Sequence, residues 1–317
     1  MTEKTLEKGT TLARITTPTS NDMVRFAIIG DPHLAIRSEG TSRRFELTEH
    51  FLSRAITEIK NAPVDAIISV GDLTKDGERW NFDRIDDLME DVSCPFYSIP
   101  GNHDVQKLDE KHDSLSLSEF ESRYAPNSLP CSFRINDITF YCLNTASSSD
   151  IDLRDTHEGH LSENQQQWLQ RKITDNGKEI VLMHHNLPPL TNQLAEFREA
   201  IGKDAESPTS LLNGDEVLNL LNEFSNTVLF TGHRHRPGIA EHNGTVEAAS
   251  PSLCVYPQGY YLVKINDLGT TIKFIPITDF VEGIESFSAQ VSEDAVSDKV
   301  ALASVTLTHA PIIDEFG

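Results

Sequence analysis

The sequence predicts an α/β protein in which two packed β-sheets carry helices on their outer faces. Three observations lead there. Between Val24 and Met89, apolar runs of strand length alternate with stretches of helical period, the pattern of a mainly parallel sheet with its connections on the faces. Further on, Thr245 to Ala249, Tyr260 to Ile265 and Thr271 to Ile277 follow one another with no helix between them, which points to a second, mostly antiparallel sheet. At 317 residues the chain can bury a large core, and one large domain over residues 23–278 accommodates it.

Residues 1–22 are polar and Thr-rich without a sustained period, so we expect a flexible leader or an edge arm. Val24 to Ile29 reads as a buried strand, and Thr48 to Lys60 as a helix whose Phe51, Leu52, Ala55, Ile56 and Ile59 share one face. Ala66 to Val70 and Pro95 to Ile99 are the next strands, with a helix over Trp80 to Met89 between them. Val105 to Pro130 is too polar and too long for a simple connection and is expected to be an insertion or lid over the site. Cys131 to Ile135 and Ile138 to Leu143 form a hairpin across Asn136-Asp137, residues that tolerate positive φ. Ser162 with Gln165 predicts a capping box for a helix that buries Trp168, Leu169 and Ile173. Glu179 to Met183 and Thr227 to Phe230 are further strands, separated by a short helix near Gln193 to Ile201 and another over Val217 to Phe224. The extension 279–317 turns to Ser, Glu and Asp with one apolar patch, Val300 to Leu307. A docking arm, a homodimer strand and disorder all fit it.

The formal net charge of −22, from 49 acidic against 27 basic residues, repels phosphate backbones and anionic lipid unless a local cation reverses the field. It also fits a protein kept soluble in high salt. No apolar run reaches the roughly 20 residues of a membrane helix, and the first residues lack a signal-peptide core; a cytoplasmic location is expected. Four cysteines without a C-x-x-C pair predict buried thiols rather than a zinc site or disulfide framework.

The residues that carry chemistry stand where strands end. Ile28-Ile29-Gly30-Asp31-Pro32-His33 closes the first strand, and Gly71-Asp72, Gly101-Asn102-His103-Asp104, His184-His185 and Gly232-His233-Arg234-His235 close four others. A lone Asp-x-His is weak, because Asp-Pro is a common turn and a single His is commonly a plain polar residue. Five such runs at one structural position are different, since ligands of open α/β sheets collect outside the carboxyl ends of strands. Glycines before Asp72, Asn102 and His233 let the chain turn sharply there. The converging set is Asp31, His33, Asp72, Asn102, His184, His233 and His235. Mixed oxygen and imidazole donors suit manganese, iron, nickel, cobalt or zinc better than calcium or magnesium. Seven donors exceed one tetrahedral ion, whereas a pair of metals roughly 3.5–4 Å apart and sharing a carboxylate would use them all.

In this order the motifs resemble the calcineurin-like metallophosphoesterase superfamily over about Val24 to Ile277, and within it most resemble the class III cyclic nucleotide phosphodiesterase branch. The resemblance implies a four-layer αββα sandwich of two mixed sheets. It also implies that Asp31, His33 and His235 hold one divalent or trivalent metal ion, that Asn102, His184 and His233 hold a second, and that Asp72 bridges both. It implies in-line attack on phosphorus by a hydroxide shared between the metals. His103 would face the substrate as phosphoryl donor or general acid, with Asp104 fixing its tautomer. His185 is open between a hydrogen bond behind the metals and packing, and Arg234 between phosphate binding and solvent. One departure is that Asn186-Leu187 separates the paired histidines from Pro188-Pro189, where branch members commonly have prolines directly.

The expected function is hydrolysis of a small phosphodiester, a cyclic nucleotide among the candidates. Alternatives with the same site are a phosphomonoesterase, a protein phosphatase or a nuclease; the acidic charge and the lack of a basic stripe count against nucleic acid. A non-enzymatic alternative is a degenerate metal-binding regulatory domain. All seven donors and His103 are present, which disfavours it.

Overall fold

The computed structural model describes residues 9–36, 44–105, 113–146, 157–200, 210–224 and 227–294. Its strands are β1 (Thr10–Ile15), β2 (Val24–Ile29), β3 (Ala66–Ser69), β4 (Phe96–Ser98), β5 (Cys131–Ile135), β6 (Ile138–Cys142), β7 (Glu179–Leu182), β8 (Val228–Thr231), β9 (Gly238–His242), β10 (Thr245–Ala249), β11 (Gly259–Asn266) and β12 (Gly269–Pro276). The helices are α1 (Thr48–Lys60), α2 (Arg79–Met89), α3 (Leu117–Tyr124), α4 (Glu163–Lys172), α5 (Pro188–Ala200), α6 (Gly214–Leu221) and α7 (Phe280–Asp294).

Two six-stranded mixed sheets result, in the orders β1-β12-β11-β2-β3-β4 and β5-β6-β7-β8-β10-β9. The period of two along each central strand builds the layers. Phe26 and Ile28 of β2 face Phe140 of β6 and Phe230 of β8 between the sheets, the ring of Phe26 meeting that of Phe140 edge-on at 5.1 Å. The alternate residues Ala27 and Ile29 turn outward onto Phe51, Ile56 and Phe82 of α1 and α2. On the other sheet Val181 and Leu229 pack outward against Leu169 and Val217 of α4 and α6. The architecture is therefore helix, sheet, sheet, helix.

The strands after residue 244 divide differently from expectation. β10 lies parallel to β8 in the second sheet, whereas β11 and β12 join the first, β11 antiparallel to β2. Consecutive strands look alike in sequence whichever sheet receives them, so the boundary inside 245–277 is set by packing. Residues 10–15 form the edge strand β1 on β12. The insertion after Val105 contains α3, whose Ser116 and Glu119 make a complete capping box. The box expected at Ser162 is half made: its hydroxyl accepts from Gln165 N, but the Gln165 side chain instead takes both backbone groups of Asn144. The extension begins as α7, held to α1 by Glu282 against Arg54 and His50. The apolar patch 300–307 lies outside the described residues. Among the described residues no helix is long and apolar enough to cross a membrane.

Candidate metal centre

The carboxyl ends of β2, β3, β4, β7 and β8 open into loops that stay bonded to one another past the strands. Asp31 N donates to the Gly71 carbonyl at 3.2 Å, His33 N to that of Asp72 at 3.0 Å, and Gly232 N to that of His184 at 2.9 Å. Asp31, His33, Asp72, His233 and His235 all have φ between 44° and 69°. That left-handed region is uncommon outside glycine and is most accessible to Asn, Asp and His. Such backbone strain concentrates at functional sites.

These turns gather the donors into two groups. In the first, His33 Nε2 lies 2.9 Å from His235 Nε2 and 3.4 Å from Asp72 Oδ2, and His235 Nε2 lies 3.4 Å from Asp31 Oδ1. In the second, Asn102 Oδ1 lies 3.2 Å from His184 Nε2 and 3.0 Å from His233 Nδ1. Asp72 Oδ2 reaches this group as well, 3.3 Å from His184 Nε2, so a single oxygen stands between the two. All seven residues expected to ligate are therefore brought together.

The donor chemistry fits cations. His184 Nδ1 donates to the Val70 carbonyl at 2.7 Å, which in the neutral ring leaves Nε2 with a lone pair aimed at the acceptors Asn102 Oδ1 and Asp72 Oδ2. Asp31 Oδ2 is buried without a hydrogen-bond partner. Burial alone would lower the His184 pKa, yet the Asp72 carboxylate, joined by Asp31 and the Val70 carbonyl, pushes the imidazole up to about 9. Burial likewise opposes the charge of Asp72, but His184 and then His103 hold it well below the usual carboxylate range. The field of the site thus demands positive charge where the nitrogens converge. His233 is held well below the ordinary histidine range by burial and by His185 and His184, so it offers a neutral ring nitrogen.

His103 stands beside the first group, its ring 4.7 Å from that of His33. Asp104 does not hold its tautomer, contrary to expectation. The Asp104 carboxylate turns back to accept from Leu73 N, Thr74 N and Gly101 N at 3.0–3.1 Å, tying the loop of Asp72 to that of Asn102. Burial and the charge of Asp72 push it up to about 7. His103 Nδ1 instead contacts the Lys75 carbonyl at 2.6 Å and Asp76 Oδ1 at 3.3 Å. That nitrogen carries its proton to these acceptors.

Both ring nitrogens of His185 are engaged, Nδ1 with Thr145 Oγ1 at 2.8 Å and Nε2 with the His157 carbonyl at 3.2 Å. A ring nitrogen of His185 still lies within 4.8 Å of those of His184 and His233, but of the pair it is His184 that faces Asn102 Oδ1 and Asp72 Oδ2. Arg234 is half-buried, and its charge is felt at His185 and His233. Sequence reasoning missed Asp76, Thr145, His157 and Cys254. The His157 ring stacks 5.8 Å from that of His103, and the Cys254 sulfur lies within 4.8 Å of a ring nitrogen of both His33 and His235. None of the four sits at a strand end with a recognisable motif, so only the folded chain reveals them.

Gly101 illustrates how close the loops approach. A Cβ there would overlap Asp72 Oδ1 and the Asp72 backbone nitrogen, neither of which can move without the ladder. Gly101→Ala is expected to cost about 1–3 kcal/mol in denaturant unfolding and to lower metal content. An unchanged metal content would show that the loops have slack.

Proteins of known name share this chain's sequence pattern at low identity. A probable cyclic nucleotide phosphodiesterase of Xenorhabdus bovienii is 26% identical over 220 residues, covering 68% of this chain and 80% of that protein. The 3',5'-cyclic adenosine monophosphate phosphodiesterase CpdA of Haemophilus influenzae is 24% identical over 238 residues, 74% of this chain and 77% of its own. Among solved structures, a dimetal phosphatase from Danio rerio superposes with a TM-score of 0.64 over 81% of this chain and 97% of its own, at 14% identity, a likeness of fold. The model of one family, the calcineurin-like phosphoesterases, matches residues 24–237, which contain all five motifs, and the chain belongs to that family.

Proposed function

We propose that the protein hydrolyses a small phosphodiester, with a cyclic nucleotide as the favoured substrate class, at a centre for two metal ions. One observation carries the reading: Asp72 Oδ2 lies within 3.4 Å of a ring nitrogen in each donor group, the arrangement a bridging carboxylate needs. Asp31, His33 and His235 would hold one ion, Asn102, His184 and His233 the other, with Asp72 shared. When bound, such ions neutralise phosphoryl charge and lower the pKa of coordinated water towards neutrality. The nature of the pair is open among manganese, iron, zinc, nickel and cobalt.

The chain's own groups supply the remainder. His103 Nε2 can donate to a phosphoryl oxygen or protonate the leaving alkoxide, while Lys75 and Asp76 hold the opposite nitrogen. Its backbone N–H donates to Asp72 Oδ1 at 2.8 Å, which ties the proposed acid to the bridging carboxylate. The Asp104 bonds to three backbone amides keep the two loops in register before substrate arrives. The relatives' names support the diester assignment, and the four cysteines without disulfides are consistent with a reducing compartment such as the cytoplasm.

Hydrolysis of bis-nitrophenyl phosphate against nitrophenyl phosphate tests the assignment. Metal-dependent turnover of the diester should be the faster, and chelation should abolish it. Faster monoester turnover would reassign the protein as a phosphomonoesterase.

A further inference from the structure

Behind the second donor group lies a buried polar cluster that the chemistry above does not use. Glu247 sits in β10, Thr231 ends β8, and Asn186 follows the paired histidines; all three are at most 2% exposed. Thr231 Oγ1 donates to Glu247 Oε1 at 2.7 Å. Asn186 Nδ2 donates to Thr231 Oγ1 at 2.7 Å and to Glu247 Oε1 at 3.1 Å. Leu187 N donates to both Glu247 oxygens at 3.2–3.3 Å. Burying a carboxyl group is unfavourable unless its acceptors are used, and these contacts use them. Burial nevertheless pushes Glu247 up to about 7, so the buried carboxyl group carries a desolvation penalty.

Its placement gives the reason. Asn186 lies two residues after His184 and Thr231 two residues before His233, so one carboxyl group ties together the loops that carry both imidazoles of the second group. Those rings stand 5.3 Å apart, centroid to centroid, and meet on Asn102 Oδ1. Asn186-Leu187, the insertion between the histidines and the prolines, supplies two of the donors that Glu247 accepts. A side chain that fixes ligand separation from behind tunes the affinity of a metal site without touching the ion.

We propose that Glu247, acting through Asn186 and Thr231, is a positioning residue that sets the spacing of His184 and His233 and so the cation affinity of the second donor group more than that of the first. The inference rests on the two-metal reading. In the first group Asp31 and His33 follow β2 in the other sheet, outside these bonds, and only His235, four residues beyond Thr231 on the loop of His233, shares a braced segment.

The test is manganese(II) titration of the full-length, chelator-stripped protein, with free ion counted by electron paramagnetic resonance. Wild type should bind about two ions per chain. Glu247→Leu should weaken one site on the order of tenfold or more, in the range seen for groups behind metal ligands, and leave the other within about twofold. Asn186→Ala, a smaller excision, should do the same to a lesser degree and serves if Glu247→Leu does not fold. Glu247→Gln keeps one carbonyl acceptor and should restore most of the affinity, which a merely volume-filling role would not predict. Equal weakening of both sites, or no weakening in a folded variant, overturns the brace. Wild type binding a single ion would instead refute the two-metal reading beneath it.

Discussion

Asp72→Ala is expected to empty both donor groups at once. The residue is 1% exposed, its Oδ2 stands between His33 and His184, and its Oδ1 accepts from His103 N. Removal takes away the negative charge that makes His184 attract a proton or a cation. Metal content should fall from about two ions per chain towards none, and diester hydrolysis by on the order of 10³-fold or more, since bound ions contribute several kcal/mol of transition-state stabilisation. Folding should suffer less than activity, because the same charge disfavours ionisation of Asp104. Elemental analysis beside the rate decides the matter; retention of both ions would remove Asp72 from the bridging position.

The second large effect is expected at His103. His103→Ala leaves the backbone bond to Asp72 in place and so should keep metal content, while the rate falls by about 10² to 10⁴, the range of a lost general acid. The loss should depend on the leaving group. A nitrophenolate departs with little need of a proton, so bis-nitrophenyl phosphate should show the smaller deficit and an alkyl or cyclic nucleotide diester the larger. Equal deficits on both would assign His103 to phosphoryl binding, and loss of metal would make it part of the donor set.

The convergence of the seven candidate donors was legible because each follows an apolar run, and a strand's carboxyl end is a position that sequence can mark. Asp104 shows where such reading stops. Its place next to His103 suggested a side-chain pair, but the turn after Gly101 sends the carboxylate back onto amides of the preceding loop. The acceptors of His103 arrive from Lys75 and Asp76, nearly thirty positions away. The sheet membership of residues 245–277 failed for a similar reason: strand pattern records which faces are buried and is silent about which neighbour supplies the hydrogen bonds. β1 buries only Leu12 outright and leaves Thr10 and Arg14 exposed, too faint an alternation to stand out in a polar segment.

The left-handed turns also limit which metals the fold can be re-tailored to accept. At Asp31, His33, Asp72, His233 and His235 a side chain proposed to donate to a cation sits on a backbone held at positive φ. Asp, Asn and His meet both demands; Glu and Cys meet only the first and glycine only the second. Asn102 and His184 are absent from the positive-φ residues. A thiolate or a longer carboxylate, introduced to favour a softer or a harder ion, therefore has two points of entry, and both lie in the group that Glu247 braces. Selection on metal preference has most freedom there, while the Asp31, His33 and His235 group is confined by backbone geometry to a narrow alphabet.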